Sequence, residues 1–270
     1  MSYVLGADLG ATNLRVAVGA DGEIVARVDR PVPATGQALA EAIAAAAGDT
    51  AIEAAAVGVP GIPDGDGFAG FIAGAAGLTG APLRTLLEDA LGVPVTIEND
   101  LNLAALAEQH ARGVDDLAFI GVGTGVGMGV VAGGRLLRGA RGAAGEAGHL
   151  PYGGRETPGP DGLGPLEAVA GGAGLAARWG RGSAREAFDA AERGDPRARE
   201  LLDDQARALA TAVRAVRALL DPEVVVLGGG IGCRPDVVAR VAALGVEVEA
   251  STTGEDAGLL GALLRARSRG

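Results

Sequence analysis

Short apolar runs open the chain. Residues 3–8, 14–18 and 23–28 carry Val, Leu, Ile and Ala in blocks too brief for helices, broken by Gly10 and by the turn pair Asp21-Gly22. They predict three strands joined by tight turns, the antiparallel start of a sheet. The periodicity then changes. An Ala-rich stretch at 36–47 predicts a helix and 54–59 a buried strand; after a loop come a helix at 82–91 and a strand at 93–98. Alternating strand and helix imply parallel pairing here.

Asn99 or Asp100 is suited to cap the next helix, which runs to about 112, and residues 117–131 repeat the hairpin pattern of the N-terminus. Asp195-Pro196 is an N-cap and first-turn pair for a long helix reaching 220, with Leu201, Leu202, Leu209, Val213 and Val216 at helical spacing. Pro222 ends it. A strand at 224–227 leads into Gly228-Gly229-Gly230, followed by helices at 235–243 and 257–267. A boundary is expected near 113. Residues 153–165, rich in Gly and Pro, form a long loop of the kind that is usually functional.

Composition removes several functions. All 23 basic residues are Arg, so neither a P-loop lysine nor the strand lysine of protein kinases is present. Gly121 and Gly123 are followed by Val126, and Gly228 and Gly230 by Cys233, where a dinucleotide fingerprint needs its third glycine. The single Cys233 forms no internal disulfide, and with only His110 and His149 beside it there is no four-ligand Cys/His zinc set. A net charge of −11 argues against nucleic acid. No signal peptide is read, because Asp8 interrupts the first apolar run. The uncharged stretch 118–134 is glycine-rich and short for a membrane span, so it reads as buried strands. A reduced cytoplasmic protein is expected.

Two glycine-and-threonine turns carry the candidate chemistry. Gly10, Thr12 and Asn13 follow Asp8 at the first; Gly123-Thr124-Gly125 forms the second. Glycine lets backbone N–H groups approach a phosphate, and a threonine hydroxyl adds a donor, so the pair suggests two jaws on a polyphosphate and an ATP-using phosphotransferase. Asp8 is placed to hold Mg²⁺ through water, or equally to satisfy its own turn. Asp100, at a strand end opening a helix, is placed to take a proton from an attacking hydroxyl, although capping the helix would suffice to explain it. Glu146 and His149 lie three residues apart in glycine-rich backbone and Glu167 follows Gly164-Pro165-Leu166; such acceptors suit a polyhydroxylated ring, while a structural histidine and an exposed helix-start acid remain the plainer readings.

At these residues the chain resembles the ROK family of sugar kinases and sugar-responsive repressors, within the actin, hexokinase and heat-shock ATPase fold. Gly6-Ala7-Asp8-Leu9-Gly10-Ala11-Thr12-Asn13 is similar to the family's first phosphate motif and Gly123-Thr124-Gly125 to its second. Gly58-Val59-Pro60-Gly61 resembles the segment lining the sugar cleft, and Glu98-Asn99-Asp100-Leu101-Asn102 the catalytic segment. Gly145-Glu146-Ala147-Gly148-His149 with Leu166-Glu167 resembles the sugar signature, and Gly228-Gly229-Gly230 the turn beside adenosine. The resemblance implies Asp100 as general base, and Asn99, Gly61, Glu146, His149 and Glu167 at the sugar. It implies Asp8, Gly10, Thr12, Asn13, Gly123, Thr124, Gly125, Gly228, Gly229 and Gly230 at Mg²⁺ and ATP. The implied fold is α/β in two lobes around a cleft, 1–112 with 252–270 and 113–251; a homodimer is also implied.

Three departures follow from the same resemblance. Relatives carry a cysteine cluster between the histidine and the last glutamate; here that interval has none, with Pro165 at one of its positions, so zinc is expected to be absent. An Asn-Leu sugar contact is replaced by Gly77-Leu78. No winged-helix module precedes residue 1, which disfavours the repressor branch. The expectation is an ATP- and Mg²⁺-dependent kinase for the primary hydroxyl of a hexose, glucose first. The alternatives are a kinase for an amino sugar, N-acylhexosamine or cyclitol, or a non-catalytic sugar-binding regulator.

Overall fold

In the computed structural model, which describes residues 2–10, 12–20, 23–69, 77–159 and 162–268, the opening apolar runs are β1 (Tyr3–Leu9), β2 (Asn13–Ala20) and β3 (Glu23–Pro31). The first two bury nearly every side chain, as strands covered on both faces must. The turn pair Asp21-Gly22 lies outside the described residues, and Ala20 pairs with Glu23 across it.

α1 (Gly36–Ala47) begins at Thr35, whose Oγ1 accepts the N–H of Ala38. Next come β4 (Ile52–Val59), the hairpin β5 (Ile62–Asp64) and β6 (Gly67–Ala69), α2 (Leu83–Leu91), β7 (Val95–Asn99) and α3 (Asp100–Arg112). The expected loop between 59 and 82 thus contains a hairpin; residues 70–76 of it lie outside the described set. The chain continues through β8 (Leu117–Val122), β9 (Val126–Ala132), β10 (Arg135–Leu136), α4 (Glu167–Ala170), α5 (Gly172–Trp179) and α6 (Ala184–Glu192). The 25-residue α7 (Pro196–Leu220) follows, then β11 (Val224–Gly228), α8 (Gly229–Gly232), α9 (Pro235–Ala242), β12 (Glu249–Ala250) and α10 (Ala257–Arg267). Asp195 caps α7 through Ala198, as the sequence predicts.

The chain divides into two units: 1–110 with 138–143 and 256–270, and 111–137 with 144–255. The segment 138–143 therefore groups with the first unit, a return that the sequence does not announce.

The first unit's sheet runs β3-β2-β1-β4-β7, antiparallel through the first three strands and parallel from β1 onward. The second unit's sheet runs β10-β9-β8-β11-β12 with the same alternation. One topology therefore occurs twice.

In the first unit Leu39, Ile43, Leu83 and Leu87 of α1 and α2 cover one face of the sheet, and Leu103, Leu259 and Leu263 of α3 and α10 cover the other. α10 approaches closely because Gly261 leaves room for the Leu103 carbonyl, where any Cβ would collide. In the second unit Leu201, Leu202, Leu209, Val213 and Val216 of α7 join Trp179 and Phe188 in the core over β8 and β11. Each such leucine buried stabilises by about 1.5–3 kcal/mol before entropy is counted. No helix among the described residues is long and apolar enough to cross a membrane.

Candidate functional site

Asp8, Gly58 and Glu98 stand in register across β1, β4 and β7, at the C-terminal ends of three parallel strands. At about 4.8 Å per strand the Asp8 and Glu98 backbones are about 10 Å apart. Open α/β sheets present ligands at this edge.

The segment after β7 is heavily bonded. Asn99 Oδ1 accepts the N–H groups of Leu101 at 2.9 Å and Asn102 at 3.0 Å, so Asn99 caps α3. Its Nδ2 donates to the Gly61 carbonyl at 3.1 Å, bringing two of the expected sugar residues together. Gly61 has φ 148°, a value that favours glycine. Asp100 is half-buried and its Oδ1 also accepts from Leu101 N at 2.9 Å. Asn99 already accepts both of these first-turn N–H groups, of Leu101 and Asn102.

At the first turn, Gly10 N donates to Asn13 O at 2.9 Å and Thr12 O accepts from Val32 N, leaving the Thr12 and Asn13 side chains exposed. Ala11 lies outside the described residues. Asp8 is buried, with Arg15 Nη1 3.3 Å from its Oδ2. Burial pushes its carboxyl above the ordinary carboxylate value; Arg15 opposes this and Asp256 adds to it. A desolvated acid whose guanidinium partner reaches only one of its two oxygens, Oδ2, is a good partner for a further cation.

The second unit holds the other turn. The carbonyls of Gly123 and Thr124 accept the N–H groups of Gly172 at 2.8 Å and Ala173 at 2.9 Å, where α5 begins. A Cβ on Gly172 would stand 2.7 Å from Gly123 O and 2.9 Å from Ile231 Cδ1. Gly172 thus lies against both the turn at 123–125 and Ile231 of α8, and Gly229 is pressed against the Val122 carbonyl. Gly229 has φ 76° and Gly230 is open to solvent. Sequence reasoning overlooked Gly171-Gly172, although paired glycines are a turn signal.

Glu167 opens α4, half-buried. A Cβ on Gly125 would lie 3.3 Å from its Oε1 and one on Gly148 2.8 Å from its Oε2. Its carboxylate therefore sits between the turn at 123–125 and the short helical turn Ala147–His149. Glu146 and His149 are exposed on that turn, and Gly145, with φ 102°, is pressed against the Met128 carbonyl. The loop beyond is tied by Tyr152 with Arg155 and by Gly159 with Leu163; Pro160 and Asp161 lie outside the described residues.

No group of three His, Cys, Asp or Glu side chains able to hold a metal occurs among the described residues. With one cysteine in the chain, a thiolate-rich zinc site does not fit. A Mg²⁺ carried by phosphates and touched by one carboxylate does fit Asp8.

Comparison with known proteins agrees with the two repeated sheets and their turns. N-acetylmannosamine kinase of Shigella flexneri is 37% identical over 287 aligned residues, covering 98% of both chains. The structure of the ROK hexokinase from Thermus thermophilus superposes with a TM-score of 0.86 at 36% identity, covering 98% of this chain and 97% of that one. A ROK family glucokinase from Streptomyces griseus, solved with glucose and AMPPNP, gives a TM-score of 0.78 at 25% identity, over 99% of this chain and 100% of that one. These neighbours share the α/β actin-like ATPase fold. The ROK family model matches residues 4–268, nearly every position from β1 to the end of α10, and the chain belongs to that family.

Proposed function

We propose that this chain transfers the γ-phosphate of ATP to the primary hydroxyl of a sugar, with Asp100 as general base, and that an N-acylated hexosamine is its preferred substrate. The single observation carrying the base assignment is that Asn99 caps α3, so the carboxylate of Asp100 is not required for the helix. As the sugar oxygen attacks, Asp100 takes its proton and the new O–P bond forms. The bond from the γ-phosphorus to the bridging oxygen breaks with its electron pair leaving on ADP.

Asp100, Asn99 and Gly61 act on the sugar, and Gly10, Thr12 and Asn13 on phosphate. Gly123, Thr124 and Gly125 hold the phosphates and Gly228, Gly229 and Gly230 the adenosine end. Glu146, His149 and Glu167 bind sugar hydroxyls. Mg²⁺, when bound near Asp8, would neutralise phosphate charge. Backbone amides, rather than a lysine, grip the nucleotide.

Similarity to N-acetylmannosamine kinase supports the amino-sugar reading. Gly77 supports it too, because the Ala34 carbonyl lies 2.6 Å from where its Cβ would be. An asparagine there would have to displace backbone, so one hydroxyl contact is given up and the acceptor set differs. Similarity to the Thermus hexokinase and the Streptomyces glucokinase supports glucose as the second reading. ADP release over glucose, mannose and their N-acetylated 2-amino relatives separates the two: kcat/KM is expected to be at least about ten-fold higher for an N-acyl sugar. The reverse order would establish glucose, and no sugar-dependent release would overturn both.

A further inference from the structure

We infer that Arg138 is a positioning residue for phosphoryl transfer, acting through the buried Glu98 to hold the turn that presents Asn99 and Asp100; the inference rests on the kinase reading above. Glu98 is 2% exposed at the end of β7. Its Oε1 accepts the N–H of Asn99 at 3.0 Å and Nδ2 of Asn102 at 2.9 Å, gripping the start of α3 from both sides of Asp100. Its Oε2 receives Arg138 Nε at 2.6 Å and Nη2 at 2.5 Å. One carboxylate thus joins the base-bearing turn to a guanidinium 40 residues away in sequence.

A buried carboxylate needs a compensating charge, and a guanidinium fork meets it with directional bonds. Without it, the buried Glu98 carboxylate loses its charge partner, and its hold on Asn99 and Asn102 is disturbed. The position of Arg138 adds to the case. It begins the segment 138–143, which groups with the first unit while the chain on both sides groups with the second. Farther along, Gly142, with φ 74°, approaches Ile62 and Pro63, so the segment is seated at both ends. It then runs directly into Gly145 and Glu146. Covalent continuity therefore links the sugar signature to the guanidinium that steadies the base.

Arg265 of α10 has a buried Nε with no hydrogen-bond partner among the described residues. Burial, and then the charge of Arg138, work against its guanidinium, while the charge of Glu98 favours it. A second cation is thus kept within electrostatic reach of Glu98.

The test is a cycle of Arg138→Met, Arg138→Lys and the double variant Glu98→Gln with Arg138→Met. Glutamine keeps an acceptor for Asn99 and Asn102 and carries no charge to compensate. Arg138→Met is expected to lose about ten-fold or more in kcat with saturating substrates, while the nucleotide Kd from calorimetry stays within about two-fold. Arg138→Lys should recover part of the loss and the double variant most of it. Amide exchange at Asn99, Leu101 and Asn102 should rise in Arg138→Met and return in the double variant; this readout stands even if no sugar is turned over, so it separates failure of this inference from failure of the kinase reading. If Arg138→Met does not fold, comparing the double variant with wild type decides alone. Unchanged kcat and exchange in a folded Arg138→Met, or a double variant as impaired as the single, would overturn the role.

Discussion

Asn99 caps the helix that Asp100 begins, its Oδ1 accepting from Leu101 and Asn102 at 2.9 and 3.0 Å. Asp100→Asn should therefore fold normally. We expect kcat to fall by about two to four orders of magnitude, the range for losing a general base, with nucleotide affinity kept. Steady-state kinetics with calorimetry check this. Activity near wild type would remove Asp100 from the role.

Asp8 gives a pH prediction. Its carboxyl is raised, mainly by burial, so its ionisation opposes folding: its contribution is fully present below the ordinary carboxylate value and is lost as pH rises through the raised one. Asp8→Asn should then be at least as stable as wild type near neutral pH without nucleotide, and less stable relative to wild type in acid. Thermal unfolding of both proteins across pH shows it. The same variant should weaken Mg-ATP binding.

Glu167 separates sugar from nucleotide. Replacing it with Ala should raise the sugar KM by about ten- to a hundred-fold, corresponding to a lost charged hydrogen bond of about 1.5–3 kcal/mol. The Kd for nucleotide should change far less. Equal effects on both would mean that its proximity to Gly125 matters more than its proximity to Gly148.

Gly172→Ala tests the support under the second phosphate turn. Its methyl would meet Gly123 O at 2.7 Å, a backbone atom that must shift. Overpacking of this kind costs about 1–3 kcal/mol. A raised ATP KM with an unchanged sugar KM is the expected kinetic signature.

Much of the fold is legible in the sequence because its signals are local. The Ala-rich run at 36–47 and the terminal one at 257–267 are helices over those spans, and Asp195-Pro196 caps α7. The hairpin pattern is read twice from apolar blocks, and parallel pairing in the first half from alternating strand and helix. α5 and α6 went unread for different reasons. α5 opens on glycines that suppress a helix signal, whereas α6 was legible from its Ser183-Glu186 capping box and was overlooked. The hairpin of β5 and β6 is too short for periodicity to register. At the site, motif residues are visible because they cluster in sequence. Arg15 and Arg138 are not, and Glu98 is visible only as part of its motif, since an ion pair formed by folding leaves no local pattern.

The most direct measurement is phosphorus NMR of a reaction containing the protein, Mg-ATP and an N-acylated hexosamine or hexose. Sugar phosphate ester at the primary hydroxyl, formed one for one with ADP and lost in Asp100→Asn, is the expected result. ATP left unchanged by every sugar, or split only to inorganic phosphate, would contradict the account.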